Sequence, residues 1–205
     1  VVEDLYRPFR PKRRTRATIA KEKGLEPLAA LIMLQRLEMP LEQAAAEFIS
    51  EEKEVASEEE AIEGAKDILA ESISDEADYR IYIRDLTTKQ GKITSVAKDE
   101  EEQSVYEMYY NFEEPITKLA GHRVLALNRG EKEKFLTVKV EAPEEKVLQY
   151  LEKQVIVSDN QYTKPVLQEV VADSYKRLIA PAIEREIRNS LTEKAENGAI
   201  EVFGK

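Results

Sequence analysis

The sequence has no cysteine, no tryptophan and a single histidine, and only seven glycines and eight prolines among its 205 residues. Without cysteine there is no disulfide framework, no thiolate nucleophile and no thiolate-ligated zinc. No stretch approaches ~18 consecutive apolar residues, so a membrane-spanning helix is excluded. No basic start followed by an apolar run appears, and a signal peptide is not expected. Scarce glycine and proline, beside abundant Glu, Lys, Ala and Leu, favour helix over sheet. With 42% hydrophobic residues, a chain of this length can bury roughly 70% of its unfolded surface. That length suits one large domain or two small ones. It starts without methionine and stops at Phe203-Gly204-Lys205 with no closing signal, which leads us to expect a segment of a longer protein.

What is present is charge, unevenly placed. Acids outnumber bases 41 to 31, for a formal net charge of −10. Residues 1–23 run the other way, with eight bases (Arg7, Arg10, Lys12, Arg13, Arg14, Arg16, Lys21, Lys23) against three acids. Between Glu38 and Asp78 stand fifteen acids and two lysines. At physiological salt the Debye length is roughly 8 Å, so distant acids do not cancel the field of the basic arm. Two readings of Arg7 to Arg16 compete. The arginines run along a phosphate backbone, or they fork onto the acidic helices of their own chain. Tyr6 and Phe9 interleave with them, either to stack on bases or to anchor the arm to the core.

Pro8 and Pro11 disfavour helix before them, so residues 1–23 read as a basic extended arm. Leu25, Leu28, Ala29 and Ile32 follow helical spacing, with Pro40 as the stop. Leu41, Ala44, Ala45, Phe48 and Ile49 form the next stripe. Ser57 and Glu60 make a capping box ahead of Ala61, Ala65, Ile68 and Leu69. Ser74-Asp75-Glu76 resembles a further start, followed by Tyr79, Tyr82, Ile83 and Leu86. Thr87 to Lys98 reads as a loop or short strand, and Val105, Met108, Tyr109 and Phe112 as a helical face stopped by Pro115. Residues 24–115 thus make an acidic helical segment. Beyond it, Arg123 to Asn128 and Phe135 to Glu141 carry a hairpin signal around Arg129-Gly130-Glu131. Val147, Leu148, Leu151 and Val155 mark another helix, and a long pattern from Val166 to Leu191 is interrupted by Pro181. Residues 116–205 therefore read as a β-hairpin plus long C-terminal helices. The expected fold is mainly α, an elongated multi-helix scaffold with one β-hairpin.

The inventory for catalysis is thin. His122 beside Gly121 reads as structural. No phosphate loop of the G-x-x-x-x-G-K-[ST] kind occurs, and no G-x-S-x-G elbow. The runs Glu58-Glu59-Glu60 and Glu100-Glu101-Glu102 point in different directions if helical, so solvated faces are expected there. The chain is not expected to be an enzyme, and no metal, cofactor or small-molecule substrate is assigned. Binding features are richer. After the arm comes the hairpin, where Arg123, Arg129, Lys132, Lys134 and Lys139 outweigh Glu131 and Glu133. Its tip makes Arg129, Lys132 and Lys134 secondary candidates for phosphate contact.

Four stretches carry a family likeness. Asp4-Leu5-Tyr6-Arg7-Pro8-Phe9-Arg10-Pro11-Lys12-Arg13-Arg14-Thr15-Arg16-Ala17, continued by Lys23-Gly24-Leu25-Glu26-Pro27-Leu28-Ala29, resembles the basic signature of the bacterial Tex proteins, transcription accessory factors. Gly64-Ala65-Lys66-Asp67-Ile68-Leu69-Ala70-Glu71, the run from His122 to Glu131, and the run from Leu178 to Ile187 fit as well, in order across the whole chain. The resemblance implies a cytoplasmic protein that binds nucleic acid, akin to the core of a eukaryotic transcription elongation factor. In that family RNA binding rests mainly on a C-terminal OB-fold domain, beside helix-hairpin-helix and ribonuclease-H-like domains. The ribonuclease-like domain is not regarded there as a working nuclease. The resemblance implies that this stretch corresponds to the middle of the N-terminal helical region, before those domains and after the family's opening helices.

Two expectations follow. In the first, the chain is a scaffold segment whose Arg7, Arg10, Lys12, Arg13, Arg14 and Arg16 contact RNA or DNA phosphate without reading sequence, with the transcription machinery as a further partner. In the second, it is a protein-interaction scaffold whose acidic helices dock a basic partner, and the arm is internal structure. The second expects Arg13 and Arg14 to be paired with carboxylates, and the first expects them free.

Overall fold

The computed structural model describes residues 14–204, with side chains through residue 198. In chain order the helices and strands are α1 (Arg16–Glu22), α2 (Glu26–Leu34), α3 (Leu41–Ala45), α4 (Glu58–Ser74), α5 (Ala77–Gln90), β1 (Lys92–Ala97), β2 (Asn111–Pro115), α6 (Gly121–Lys132), β3 (Leu136–Glu141), α7 (Glu144–Val155), α8 (Lys164–Asp173), a π-helical turn (Ser174–Ile179) and α9 (Ala180–Gly204). The mainly helical class read from composition holds. The chain divides into two compact units, one of residues 1–72 with 155–170, the other of 73–154 with 171–205.

In the first unit each helix boundary has a local cause. Gly24 at φ 75° turns the chain from α1 into α2, a conformation glycine adopts without a Cβ penalty. α2 stops at Gln35, which takes the left-handed conformation (φ 57°, ψ 37°), so the helix ends before Pro40 is reached. The Ser57–Glu60 pair closes the start of α4 from both sides: Ser57 Oγ accepts from Glu60 N–H at 3.2 Å, and Glu60 accepts from Ala56 N–H at 2.9 Å. The core takes in the expected stripes: Leu28, Ile32, Leu41, Ala45, Ala61, Ala65 and Leu69 are buried, as are Leu167 and Val170 of α8.

Buried Gln35 holds this unit's two chain segments together. Its amide donates to Val155 O at 2.8 Å, while its Oε1 accepts from Val157 N–H at 2.9 Å and Ser158 N–H at 3.2 Å. Asn160 repeats the device, donating to Leu37 O at 2.9 Å and accepting from Tyr162 and Thr163 N–H.

The second unit is built on a three-stranded antiparallel sheet in the order β2-β1-β3. Ser95 stands opposite Phe112 on one side and Val138 on the other. Ile93, Ser95, Leu136 and Val138 are buried, and Lys92, Thr94 and Val96 alternate onto the other face, as a period of two requires. Glu184 of α9 accepts from Val140 N–H at 2.8 Å, which satisfies a donor of β3 that the sheet leaves over. α6 and α9 pack together, fixed by a network in which Arg188 donates to Asn128 and Glu131, and Asn128 donates to Thr192.

The expected hairpin is corrected here. Arg123–Asn128 is not a strand but the body of α6, and the partner of Phe135–Glu141 is β1. The buried positions of that stretch are Val124, Leu127 and Gly130, a spacing of three that belongs to a helix whatever the β-propensity of Val and Leu. Gly130 is small because α6 lies on the sheet: a Cβ there would meet Leu136 Cδ1 at 2.4 Å. The helical face expected at Val105 to Phe112 is a single 3-10 turn, Glu107–Tyr109, leading into β2. There Tyr106 and Tyr109 are buried, while Val105 and Met108 are exposed. Pairing with β1 overrides the helical spacing. Pro181, expected to kink its helix, stands just after the π turn, where Ala180 N–H donates to Tyr175 O five residues back. The wider turn carries the helix past a residue with no N–H to give.

Candidate nucleic-acid interface

Of the arm residues singled out from sequence, Arg7, Arg10, Lys12 and Arg13 lie outside the described residues. Arg14 and Arg16 are described. Both stand where the chain enters α1, and the entry is fixed locally. Thr15 is extended, its Oγ1 accepts from Thr18 N–H at 3.0 Å as the N-cap, and it bonds Glu71 of α4 at 3.1 Å. Arg14 pairs with Glu22 at 2.6 Å, and the two side chains keep 63% and 52% of their exposure. An ion pair that exposed contributes roughly 0–1 kcal/mol, so a phosphate can displace the carboxylate. The partner is local, not one of the acids between Glu38 and Asp78.

Arg16 is exposed on the first turn of α1 and lines an open cleft of about 400 Å³. Arg16 and Lys23 stand on one side, and Glu59, Glu60 and Glu63 of α4 on the other. Its floor is tight because Gly64 of α4 lets Leu25 approach: a Cβ at 64 would lie 2.3 Å from Leu25 Cδ1. Beside it Lys66 bonds Glu169 at 2.7 Å and Glu63 at 3.2 Å. Burial lowers that ammonium's pKa, but the two hydrogen-bonded carboxylates outweigh it, and the net shift is upward. The arm thus enters the fold beside a wall of opposite charge.

The second set, Arg129, Lys132 and Lys134, does not form a hairpin tip. Arg129 and Lys132 occupy the last turn of α6, three residues apart, where the helix C-terminus favours cations. Lys134 follows in the turn to β3 at φ 69°. All three are exposed. The acids between them are engaged elsewhere: Glu131 with Arg188 at 2.8 Å, and Glu133 with the Tyr106 hydroxyl. That hydrogen bond, more than burial, raises the Tyr106 pKa, and the charge of Arg129 works against it. Arg188 thus compensates Glu131, while Glu133 keeps its charge beside Lys132 and Lys134. Arg123, counted with these bases, lies over the Phe112 ring at 5.5 Å and is occupied there. His122 is an exposed residue in the first turn of α6, not at a strand entrance. Among the described residues no helix is long and apolar enough to cross a membrane.

Residues 38–203 match the family described as Tex central region-like. The chain is 55% identical over 207 residues to the uncharacterized protein YdcI of Bacillus subtilis, covering all of this chain and 29% of that protein. It is 32% identical to the transcriptional accessory protein Tex of Neisseria gonorrhoeae, covering all of this chain and 28% of that one. With S1 RNA-binding domain-containing protein 1 of Homo sapiens the identity is 31%, over 93% of this chain and 20% of the human protein. The chain spans less than a third of the length of each of these relatives. Since the family match takes in all but the first 37 and last two residues, the chain belongs to the Tex central region-like family.

Proposed function

We propose that the chain is the helical scaffold segment of a cytoplasmic transcription accessory protein that binds nucleic acid, with most RNA or DNA binding carried by parts of the protein outside it. The observation that carries this reading is the family match over 38–203, joined to relatives whose names speak of transcription and RNA binding. Within the segment, the arm residues Arg7 to Arg16 contact phosphate backbone without reading bases, and Arg129, Lys132 and Lys134 at the end of α6 add a second contact. The exposure of Arg14 and Arg16 supports the first, and the pairing of Glu131 with Arg188 beside Arg129 supports the second. The segment performs no chemistry of its own.

Binding of labelled single-stranded RNA and duplex DNA across a salt series tests this. Affinity is expected to fall log-linearly with salt, at roughly 0.7 to 0.9 per neutralised charge. The double variant Arg13→Glu with Arg14→Glu is expected to lose most of it at unchanged helicity. If neither nucleic acid binds at low salt, the phosphate reading fails for this segment. A second reading, a scaffold that docks a basic partner, is favoured by the acidic wall of α4 and by the Arg14–Glu22 pair.

A further inference from the structure

α5 places Asp78, Tyr79 and Tyr82 on neighbouring positions of one face, with Glu76 as its N-cap. α7 contributes Tyr150. Its ring stacks on Tyr82 with centroids 3.8 Å apart and planes 12° from parallel, and meets Tyr79 edge-on at 6.1 Å and 87°. Tyr82 remains 46% exposed although Tyr150 covers one face of its ring. Burial chiefly raises the pKa of both Tyr79 and Tyr150, and in each the carboxylates of Glu76 and Asp78 add to it. Two negative charges therefore act on the rings of Tyr79 and Tyr150.

The sign of that surrounding decides what the ring face can take. A platform that stacks nucleobases needs cations beside it to hold the phosphates. Here Arg80 and Arg84 pair with Glu186 at 3.0 and 3.7 Å and Lys146 donates to Gln90 at 2.7 Å, which leaves exposed Lys153, three residues after Tyr150, as the cation on that side. Aromatic faces carry the negative end of the ring quadrupole, and carboxylates at their edge reinforce it.

We propose that Tyr82, with Tyr79, Tyr150, Asp78 and Glu76, is a cation–π site for the guanidinium or ammonium group of a basic segment in a partner protein. This rests on the reading in which the scaffold docks a basic partner, and gives that docking a defined anchor.

The test is the affinity of the full chain for a fluorescein-labelled peptide of alternating glycine and arginine at about 0.15 M salt, beside the same peptide with citrulline for arginine. The arginine peptide is expected to bind more tightly than its neutral counterpart. Tyr82→Leu keeps the bulk and removes the π face, and is expected to weaken binding about fivefold, the scale of an exposed cation–π contact. Tyr82→Phe is expected to bind as the parent does. Unchanged affinity in Tyr82→Leu would overturn the site while leaving basic-partner docking elsewhere on the acidic helices intact. Failure of the arginine peptide to bind even at low salt would remove both. An oligouridylate that binds the parent more tightly than the peptide, and is lost in Tyr82→Leu, would show that the platform reads bases and sink the proposal.

Discussion

Gln35 has the backbone of a glycine and the side chain of a clasp. Its left-handed conformation costs a residue with a Cβ roughly 1 kcal/mol, and three hydrogen bonds to the 155–158 segment hold it there. Gln35→Ala leaves these backbone groups unpaired and is expected to cost about 2–4 kcal/mol in urea unfolding. Gln35→Gly loses the same bonds but relieves the backbone, and is expected to recover about 1 kcal/mol of that. Equal losses would mean that the clasp carries no backbone strain. Tyr175 makes a prediction in pH. Burial, and then the charge of Glu144, push its phenol up to about 12. The fold favours the neutral phenol, so the stabilisation is complete below the ordinary value near 10 and is lost as pH rises through about 12. The urea midpoint is expected to fall more steeply between pH 10 and 12 in the parent than in Tyr175→Phe. Parallel declines would exclude this phenol as the cause.

Two glycines set apart the demands of the helices that contain them. In isolation, Gly→Ala within a helix stabilises by roughly 0.5–1 kcal/mol. At Gly198 nothing lies within 4 Å of the position a methyl would take, so Gly198→Ala is expected to raise the melting temperature slightly. At Gly130 the methyl would sit 2.4 Å from Cδ1 and 2.8 Å from Cγ of fully buried Leu136. Overpacking of that kind costs about 1–3 kcal/mol and outweighs the propensity gain. Gly130→Ala is expected to lower the melting temperature, and a rise would mean that α6 can lift off β3. From sequence Gly130 looks like a turn residue. Its reason is an approach between α6 and a strand that begins six residues later, and no local pattern reports it. The Ser57–Glu60 cap, in contrast, is legible because both partners lie within one turn.

For the chain as a whole, charge placement is the feature that function must use. Of the six arm residues assigned to phosphate contact, four (Arg7, Arg10, Lys12 and Arg13) precede residue 14. A chain starting at Arg14 is expected to lose most RNA affinity at about 50 mM salt while its melting temperature moves by no more than ~2 °C. Retained binding would shift the phosphate contact to Arg129, Lys132 and Lys134, and Arg129→Glu with Lys132→Glu should then remove it. The family likeness was legible over the whole chain because its signature stretches are contiguous.

Helical spacing of apolar residues by itself determined the class of the fold and most helices, since a stripe at three and four residues is a property of one segment and needs no partner to be seen. Tertiary structure alone decided the rest. It made Arg123–Asn128 a helix by burying Val124, Leu127 and Gly130 on one side, and turned Asn111–Pro115 into a strand by pairing it with β1. It paired Glu131 with Arg188, which leaves one acid fewer to offset Arg129, Lys132 and Lys134. It also stacked Tyr82 on Tyr150, residues 68 positions apart. The physical reason is the same in each case: the deciding partner lies on another element, and only folding brings it within reach.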